Sequence, residues 1–285
     1  MPTTNPVIGS APSRDITPLS APRPGAPHFD TAYRIRTGDI DSSFRLRLDG
    51  VARLLQDVAT DNLAATGHTE TDPFWIIRRT IVDVRSPIEW PGTVELSRWC
   101  GATSSRWSNM RVRMTSRSEA DAFNTDPGPD GLIDTEGFWI KVNDKGLPSR
   151  MSDSMAETAA GMTDELRLRW VAMNTDPLPE EPSVPDRRHR LRVTDFDPFE
   201  HLNNAAYWAM VEDELAEHPD LRGRPHRAVI EYLSPIPHTT RDLTVRRRRD
   251  GDRLLMWILQ EGNPKPAATV AVTALAGDVT AADRL

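Results

Sequence analysis

The pattern Asp-x-Asp-x-x-x-(Arg/His)-Leu occurs twice in this chain, and it restricts the fold more than any bulk property does. Asp39-Ile40-Asp41-Ser42-Ser43-Phe44-Arg45-Leu46 lies over Asp195-Phe196-Asp197-Pro198-Phe199-Glu200-His201-Leu202 at a spacing of 156, Asp41 against Asp197. Further on, Val82-Asp83-Val84-Arg85-Ser86-Pro87-Ile88 lies over Ile230-Glu231-Tyr232-Leu233-Ser234-Pro235-Ile236 at a spacing of 148, Pro87 against Pro235. Two matches in the same order point to a tandem duplication. The drop in spacing asks for one longer loop in the first copy, which Gly67 to Pro73 supplies. A chain built this way folds as two like units.

Each copy reads as a short strand, one long helix and then several strands. In the first, Tyr33 to Arg36 is a strand. Val51, Leu54, Leu55, Val58 and Leu63 then recur at helical spacing, predicting a helix from Leu48 to Ala65 stopped by Gly67. Alternating segments follow at Trp75 to Arg85, Thr93 to Ala102, Trp107 to Ser116 and Leu132 to Val142. In the second copy, Arg190 to Val193 leads into a helix from His201 to about Glu217. Strands are expected at Ala228 to Leu233, Asp242 to Arg248, Leu254 to Gln260 and Ala268 to Leu275. The class is α+β: a helix whose apolar face lies in the concave side of a curved antiparallel sheet. One such sheet leaves an edge uncovered, so the two copies are expected to cover each other.

A net charge of -7 argues against a nucleic-acid partner, which needs a basic face to neutralise phosphates. One cysteine, Cys100, makes no internal disulfide, and no apolar run is long enough to span a membrane; a cytoplasmic protein is expected. Residues 1–28 hold seven prolines and few large apolar residues and are expected to be disordered. The domains are then 29–174, a stiff proline-rich linker at 175–186, 187–277, and a tail at 278–285. No metal-ligand spacing, phosphate loop, nucleotide fingerprint or Gly-x-Ser-x-Gly elbow is present, so no metal or cofactor is expected.

The second copy carries the residues for acyl transfer. Asp197, His201, Asn203, Asn204 and Tyr207 follow the order Asp-x-x-x-His-x-Asn-Asn-x-x-Tyr where a turn runs into a helix. That order sets a carboxylate in a loop and an imidazole plus amides on the first helical turn, where unpaired N–H groups near Leu202 meet the positive helix end. Asp197 suits a general base for water or a direct nucleophile, and His201 a hydrogen bond to the substrate carbonyl or to Asp197. Asn203 and Asn204 suit holding the water or the loop. An aspartate ahead of a helix also serves simply as a cap. In the first copy Arg45 and Arg47 replace His201 and Asn203 while Asp41 remains, so that copy is expected to be silent, with Asp41 salt-bridged or capping. Glu212 and Glu214 read as solvated or dimer-facing.

This motif resembles the active-site segment of hot-dog-fold thioesterases, and from 29 to 277 the chain resembles the acyl-acyl-carrier-protein (acyl-ACP) thioesterases that end fatty-acid synthesis. Leu54-Leu55-Gln56-Asp57 stands at the family's Leu-Gln-Glu helix. Trp75-Ile76-Ile77-Arg78-Arg79 is similar to its Trp-Val-Leu-(Thr/Ser)-Arg strand, and Glu89-Trp90-Pro91-Gly92-Thr93-Val94 to its Pro-x-Trp-Gly-(Asp/Glu)-Val turn. In the second half Asp197, His201, Asn203, Asn204 and Tyr207 match Asp-x-Asn-x-His-Val-Asn-Asn-x-x-Tyr. Phe199 replaces the family asparagine, and Pro235 and Ile236 stand where it has a glutamate and a cysteine. What remains is the smaller Asp/His set of simpler hot-dog thioesterases.

The resemblance implies a double hot dog that hydrolyses fatty acyl thioesters on acyl carrier protein. The alternatives are an acyl-coenzyme A thioesterase and a decayed acyl-binding protein. It places the acyl slot against the first helix, with Val51, Leu54, Leu55, Val58 and Trp75 as candidates. The arginine runs 187–192 and 246–249 are candidates for the carrier's phosphate or acidic surface. Two joined hot dogs already form a pseudo-dimer, which leaves both a monomer and a homodimer of pseudo-dimers open.

Overall fold

A computed structural model describes residues 18, 19 and 21–275. The elements in chain order are β1 (Phe29–Arg34), α1 (Leu48–Ala65), β2 (Trp75–Ser86), β3 (Thr93–Thr103), β4 (Trp107–Ser116), β5 (Gly131–Lys141) and α2 (Asp153–Met162), then β6 (Arg187–Arg190), α3 (Asn204–Ala216), β7 (His226–Tyr232), β8 (Asp242–Asp250), β9 (Arg253–Gln260) and β10 (Ala268–Ala274). All ten strands form one antiparallel sheet in the order β1-β3-β4-β5-β2-β7-β10-β9-β8-β6. Read inward from either edge the order is the same, first strand, third, fourth, fifth, second, so the duplication is visible in the topology. The chain is a tandem double hot dog, with α1 and α3 packed against each other over a shared core.

β2 and β7 zip the halves together, with Arg79 opposite Glu231 and Asp83 opposite Arg227. The two cross-strand ion pairs repeat each other at a spacing of 148. Arg227 binds Asp83 with two bonds of 2.6 Å, and Arg79 reaches Glu231 at 3.2 Å. All four side chains are buried. Glu231 also accepts the N–H groups of Met173 and Asn174, which close the seam from outside.

Three differences from the sequence reading have local causes. β1 runs over Phe29–Arg34 rather than Tyr33 to Arg36, because its partner strand continues to Arg98, opposite Phe29. β6 runs over Arg187–Arg190 rather than from Arg190 to Val193, because β8 holds it from Val245 to Asp242. α2 was not anticipated. Its apolar face is only Ala159 and Met162 against Trp99 and Cys100, and the readable signal is its cap, Ser152, which accepts the Met155 N–H.

The linker at 175–186 is irregular and held down: Leu178 packs on Leu255, Trp257 and Ala271, and Asp176 pairs with Arg253 at 2.8 Å. The expected disorder of 1–28 lies mostly outside the described residues; within 21–28, Arg23 binds Asp164 and the Gly161 carbonyl, both at 2.7 Å. Of the expected tail, 278–285 lies wholly outside them. No helix among the described residues is long and apolar enough to cross a membrane.

Candidate active site

The duplicated loops superimpose hydrogen bond by hydrogen bond. In the second copy Asp197 Oδ1 accepts the N–H of Phe199 at 2.9 Å and of His201 at 3.1 Å. In the first, Asp41 Oδ1 accepts those of Ser43 at 2.7 Å and Arg45 at 3.0 Å. Leu202 donates to the Ile236 carbonyl as Leu46 does to that of Ile88, and Asn203 donates to Asp195 as Arg47 does to Asp39. Glu200 and Phe44 occupy the same place at φ 62° and 63°. That left-handed backbone is costly for large side chains. The aspartate in each copy folds back on its own loop and holds it there.

The copies part company beyond that loop. Asp41 Oδ2 is taken by Arg45 at 3.2 Å and Arg222 at 2.6 Å. Asp197 Oδ2 has no hydrogen-bond partner among the described residues. At the start of α1, the Leu48 N–H donates to Glu212 Oε2 at 3.1 Å, and Arg222 holds Glu212 at 2.9 Å. The equivalent of Leu48 is Asn204, and that of Glu212 is Gln56, each at a spacing of 156. Gln56 turns its amide to Asn203 Oδ1 at 3.0 Å, and Asn203 also accepts the Ala205 N–H at 2.9 Å. The Asn204 N–H therefore donates to no group among the described residues, and it sits at the positive end of α3. One helix start is stoppered by a carboxylate and the other is open.

His201 lies in the loop, not on the first helical turn: α3 begins at Asn204 because Asn203 is extended and caps it. Its imidazole is exposed, and Asp197 binds its backbone N–H rather than its ring. The N–H groups of Leu202 and Asn203 are both used in the chain, which moves the free donor to Asn204. Tyr207 packs edge-on to Tyr232 at 5.2 Å; burial, Tyr232 and the nearby Asp197 charge all raise its pKa, so its hydroxyl keeps its proton. Neither Glu212 nor Glu214 is solvated. Glu212 stoppers α1, and Glu214, 1% exposed, pairs with Arg187 and Arg247.

From the open helix start a narrow cavity of about 30 Å³ runs into the first half. Asn204, Gln56, Trp208 and Tyr232 lie at its α3 side. Leu55 and Ala52 of α1 and side chains of β2, β5, β4 and β3 line the rest. Of the sequence candidates for the acyl slot only Leu55 lines it. Val51, Leu54 and Val58 face the shared core at 0–3% exposure, and Trp75 is tied at the start of β2 by its indole N–H to the Asp72 carbonyl. An acyl chain needs more room, and Leu55, Met110 and Trp139 on the wall are only half-buried. Leu55→Trp is expected to lower kcat/KM for long acyl chains and spare short ones, since each CH₂ that loses its slot forfeits about 0.8 kcal/mol. Val51→Trp is expected to cost roughly 1–3 kcal/mol of stability by overpacking and to depress all chain lengths alike. A chain-length series with thermal melts separates the two, and matching profiles would move the slot off α1.

All the arginines of the two runs but Arg190 form ion pairs within the chain. Arg246 binds Asp186, Arg247 Glu214, Arg248 Asp176 and Arg249 Asp220; Arg187 binds Glu214 and Glu217, Arg188 Asp242 and Arg192 Asp195. Among the described residues no group of three or more His, Cys, Asp or Glu could hold a metal ion.

Residues 26–158 match the acyl-ACP thioesterase N-terminal domain, and 181–246 the acyl-ACP thioesterase C-terminal domain. The chain belongs to the acyl-ACP thioesterase family. An uncharacterized protein of Mycobacterium tuberculosis is 38% identical over 258 residues, 90% of this chain and 97% of that protein. An acyl-ACP thioesterase from Bacteroides thetaiotaomicron shares the fold with a TM-score of 0.64 at 12% identity, covering 86% of this chain and 97% of that one. So does the 12:0-ACP thioesterase of Umbellularia californica, TM-score 0.62 at 17% identity over 86% and 96%. This acyl-ACP thioesterase family member is a thioester hydrolase. Sequence reasoning missed Gln56 as a site residue, although its spacing of 156 from Glu212 gave the signal.

Proposed function

We propose that the protein hydrolyses fatty acyl thioesters carried on acyl carrier protein in the cytoplasm and releases the free fatty acid, with the second copy as its one active site. The observation that carries this is that the second copy leaves both the Asn204 N–H and Asp197 Oδ2 without a partner among the described residues, where the first copy has both groups blocked. The thioester carbonyl oxygen lies against the Asn204 N–H at the positive end of α3, and the acyl chain enters the cavity past Gln56 and Leu55. Asp197 takes a proton from water as the water oxygen bonds to the carbonyl carbon. The C–S bond of the tetrahedral intermediate then breaks, and the carrier thiolate takes the proton held by Asp197 and leaves as a thiol. In an alternative route Oδ2 attacks the carbonyl carbon, the C–S bond breaks with departure of the carrier thiolate, and water then hydrolyses the acyl-Asp197 anhydride and supplies the proton that makes the carrier thiol. His201 delivers the proton or hydrogen-bonds the carbonyl, Asn203 holds the loop through its cap, and the Asn204 amide faces the cavity.

Asp197→Asn tests the assignment cleanly. The amide oxygen still accepts the Phe199 and His201 N–H groups, so the loop stays folded while the charge on the free oxygen is lost. We expect kcat to fall about 100-fold or more with an unchanged melting temperature. More than a third of wild-type activity would show that Asp197 only holds the loop. For the carrier, kcat/KM is measured with one acyl group on acyl carrier protein and on coenzyme A. A coenzyme A preference above tenfold would replace the carrier named here.

A further inference from the structure

The acyl cavity has a cation in its wall. Arg98 lies on β3 in the same phase as Val94 and Leu96, whose side chains enter the shared core, so a charged residue occupies a place the alternation reserves for an apolar one. It is 9% exposed and lines the cavity together with Met110, Val112 and Trp139. Its one hydrogen bond among the described residues runs from Nε to Asn62 Oδ1 of α1 at 3.1 Å. No carboxylate of the described residues lies within ion-pair distance of its guanidinium, in a protein where most buried arginines have one. The neighbouring Cys100 thiol does not serve as counter-ion, because burial raises its pKa and keeps it neutral. Burial also lowers the Arg98 pKa to about 10, which leaves it a cation at neutral pH.

Two further polar atoms of the same cavity lack partners. Trp208 Nε1 and Tyr232 Oη are buried without a well-formed hydrogen bond, although Thr80 and Trp208 stand beside the Tyr232 hydroxyl. The terminal nitrogens of Arg98 donate to no group among the described residues and keep what little exposure the side chain has; a guanidinium nine-tenths buried without a counter-ion is costly, and apolar residues of similar volume would be as stable or more so. A plain hydrocarbon chain does nothing to relieve that cost; an anion does. Arg98 also lies on the strand of the lining that is furthest from β7 in the sheet: the strand residues of the lining come from β7, β2, β5, β4 and, last in that order, β3.

We propose that Arg98 receives a carboxylate at the end of the acyl chain remote from the thioester, so that the preferred substrate is an ω-carboxyacyl thioester, the half-thioester of a dicarboxylic acid. This rests on the thioesterase reading of the open site and adds the substrate class to it. The guanidinium binds the terminal carboxylate through its two unbonded nitrogens, while the apolar wall takes the methylenes between.

The test compares plain and ω-carboxy acyl chains of equal length, loaded on acyl carrier protein and on coenzyme A, in wild type, Arg98→Met and Arg98→Lys. Non-hydrolysable thioether analogues of the coenzyme A pair give Kd by calorimetry. Wild type is expected to favour the ω-carboxy chain at least tenfold in kcat/KM and in Kd. Arg98→Met is expected to invert that ratio while melting no lower than wild type, and Arg98→Lys to keep it above one. A wild-type preference for the plain chain, or a ratio that Arg98→Met leaves unchanged, overturns the proposal while hydrolysis stands. Absence of turnover on every thioester overturns the hydrolytic reading instead, and the Kd ratio of the thioethers then still decides for or against Arg98.

Discussion

Asn204→Pro is expected to lower kcat about 100- to 1,000-fold, the usual cost of one oxyanion donor, and to leave fold and melting temperature nearly as they were. A backbone N–H is rarely removable without wrecking its surroundings; here it is. Asn204 is the first residue of α3, the helical position where proline's fixed φ fits and its missing N–H breaks no helical bond. The residue before a proline must be extended, and Asn203 already is, at φ −63° and ψ 143°. The cap bond from Ala205 to Asn203 does not involve the deleted group. Asn204→Ala serves as control, because it removes the side-chain amide and keeps the N–H. If the proline variant retains activity within threefold of the alanine variant, the oxyanion is held elsewhere. The same reasoning supports the proposal of a single active site: with Glu212 already on the Leu48 N–H, the first helix start has neither a free donor nor a tolerable field for a second negative charge.

The fold was legible because duplication and periodicity are properties of the chain alone. α1 runs over Leu48–Ala65, the residues its apolar spacing and Gly67 mark, and the strands that follow lie within a residue or two of their alternating segments. The motif's place at a helix start was legible for the same reason. What failed was whatever depends on a distant partner. The sequence places His201 at the helix start, but it does not show that Leu202 is tied to Ile236 and Asn203 to Asp195, which delays the first turn to Asn204. The stripe Val51, Leu54 and Val58 is apolar whether it meets a ligand or α3, and it meets the shared core. Arginine runs look alike when solvated and when paired; all of these but Arg190 are paired, Arg246 and Arg247 through acids on the linker and on α3. Arg98 was legible in principle, as a charge in the apolar phase of a strand, but only once the register of β3 was fixed.

Asp83→Ala is expected to cost about 3–5 kcal/mol of stability, the range for orphaning one member of a buried ion pair, and to lower the melting temperature on the order of 10 °C. Asp83 is fully buried, and the Arg227 guanidinium, which binds it through two 2.6 Å bonds, would be left charged without its acid, as would Arg85, which reaches Asp83 at 3.7 Å. The pair is not needed for its own attraction, since desolvating two charges consumes most of the Coulomb gain. Its consequence is registry: with Arg79 and Glu231 it fixes β2 against β7, and a one-residue slip would part both ion pairs, setting Arg79 opposite Ile230 or Tyr232 and Asp83 opposite His226 or Ala228, and turn every side chain of β7 to the wrong face. The double variant Asp83→Val with Arg227→Met, which removes both charges, is therefore expected to recover most of the stability lost by the single one. Its remaining deficit should appear in activity, because the cavity takes Trp208 and Tyr232 from one side of this seam and Leu55, Ile77 and Arg98 from the other. A single variant that melts within a degree or two of wild type would mean that the backbone ladder and the shared core hold the two halves in register without the ion pairs.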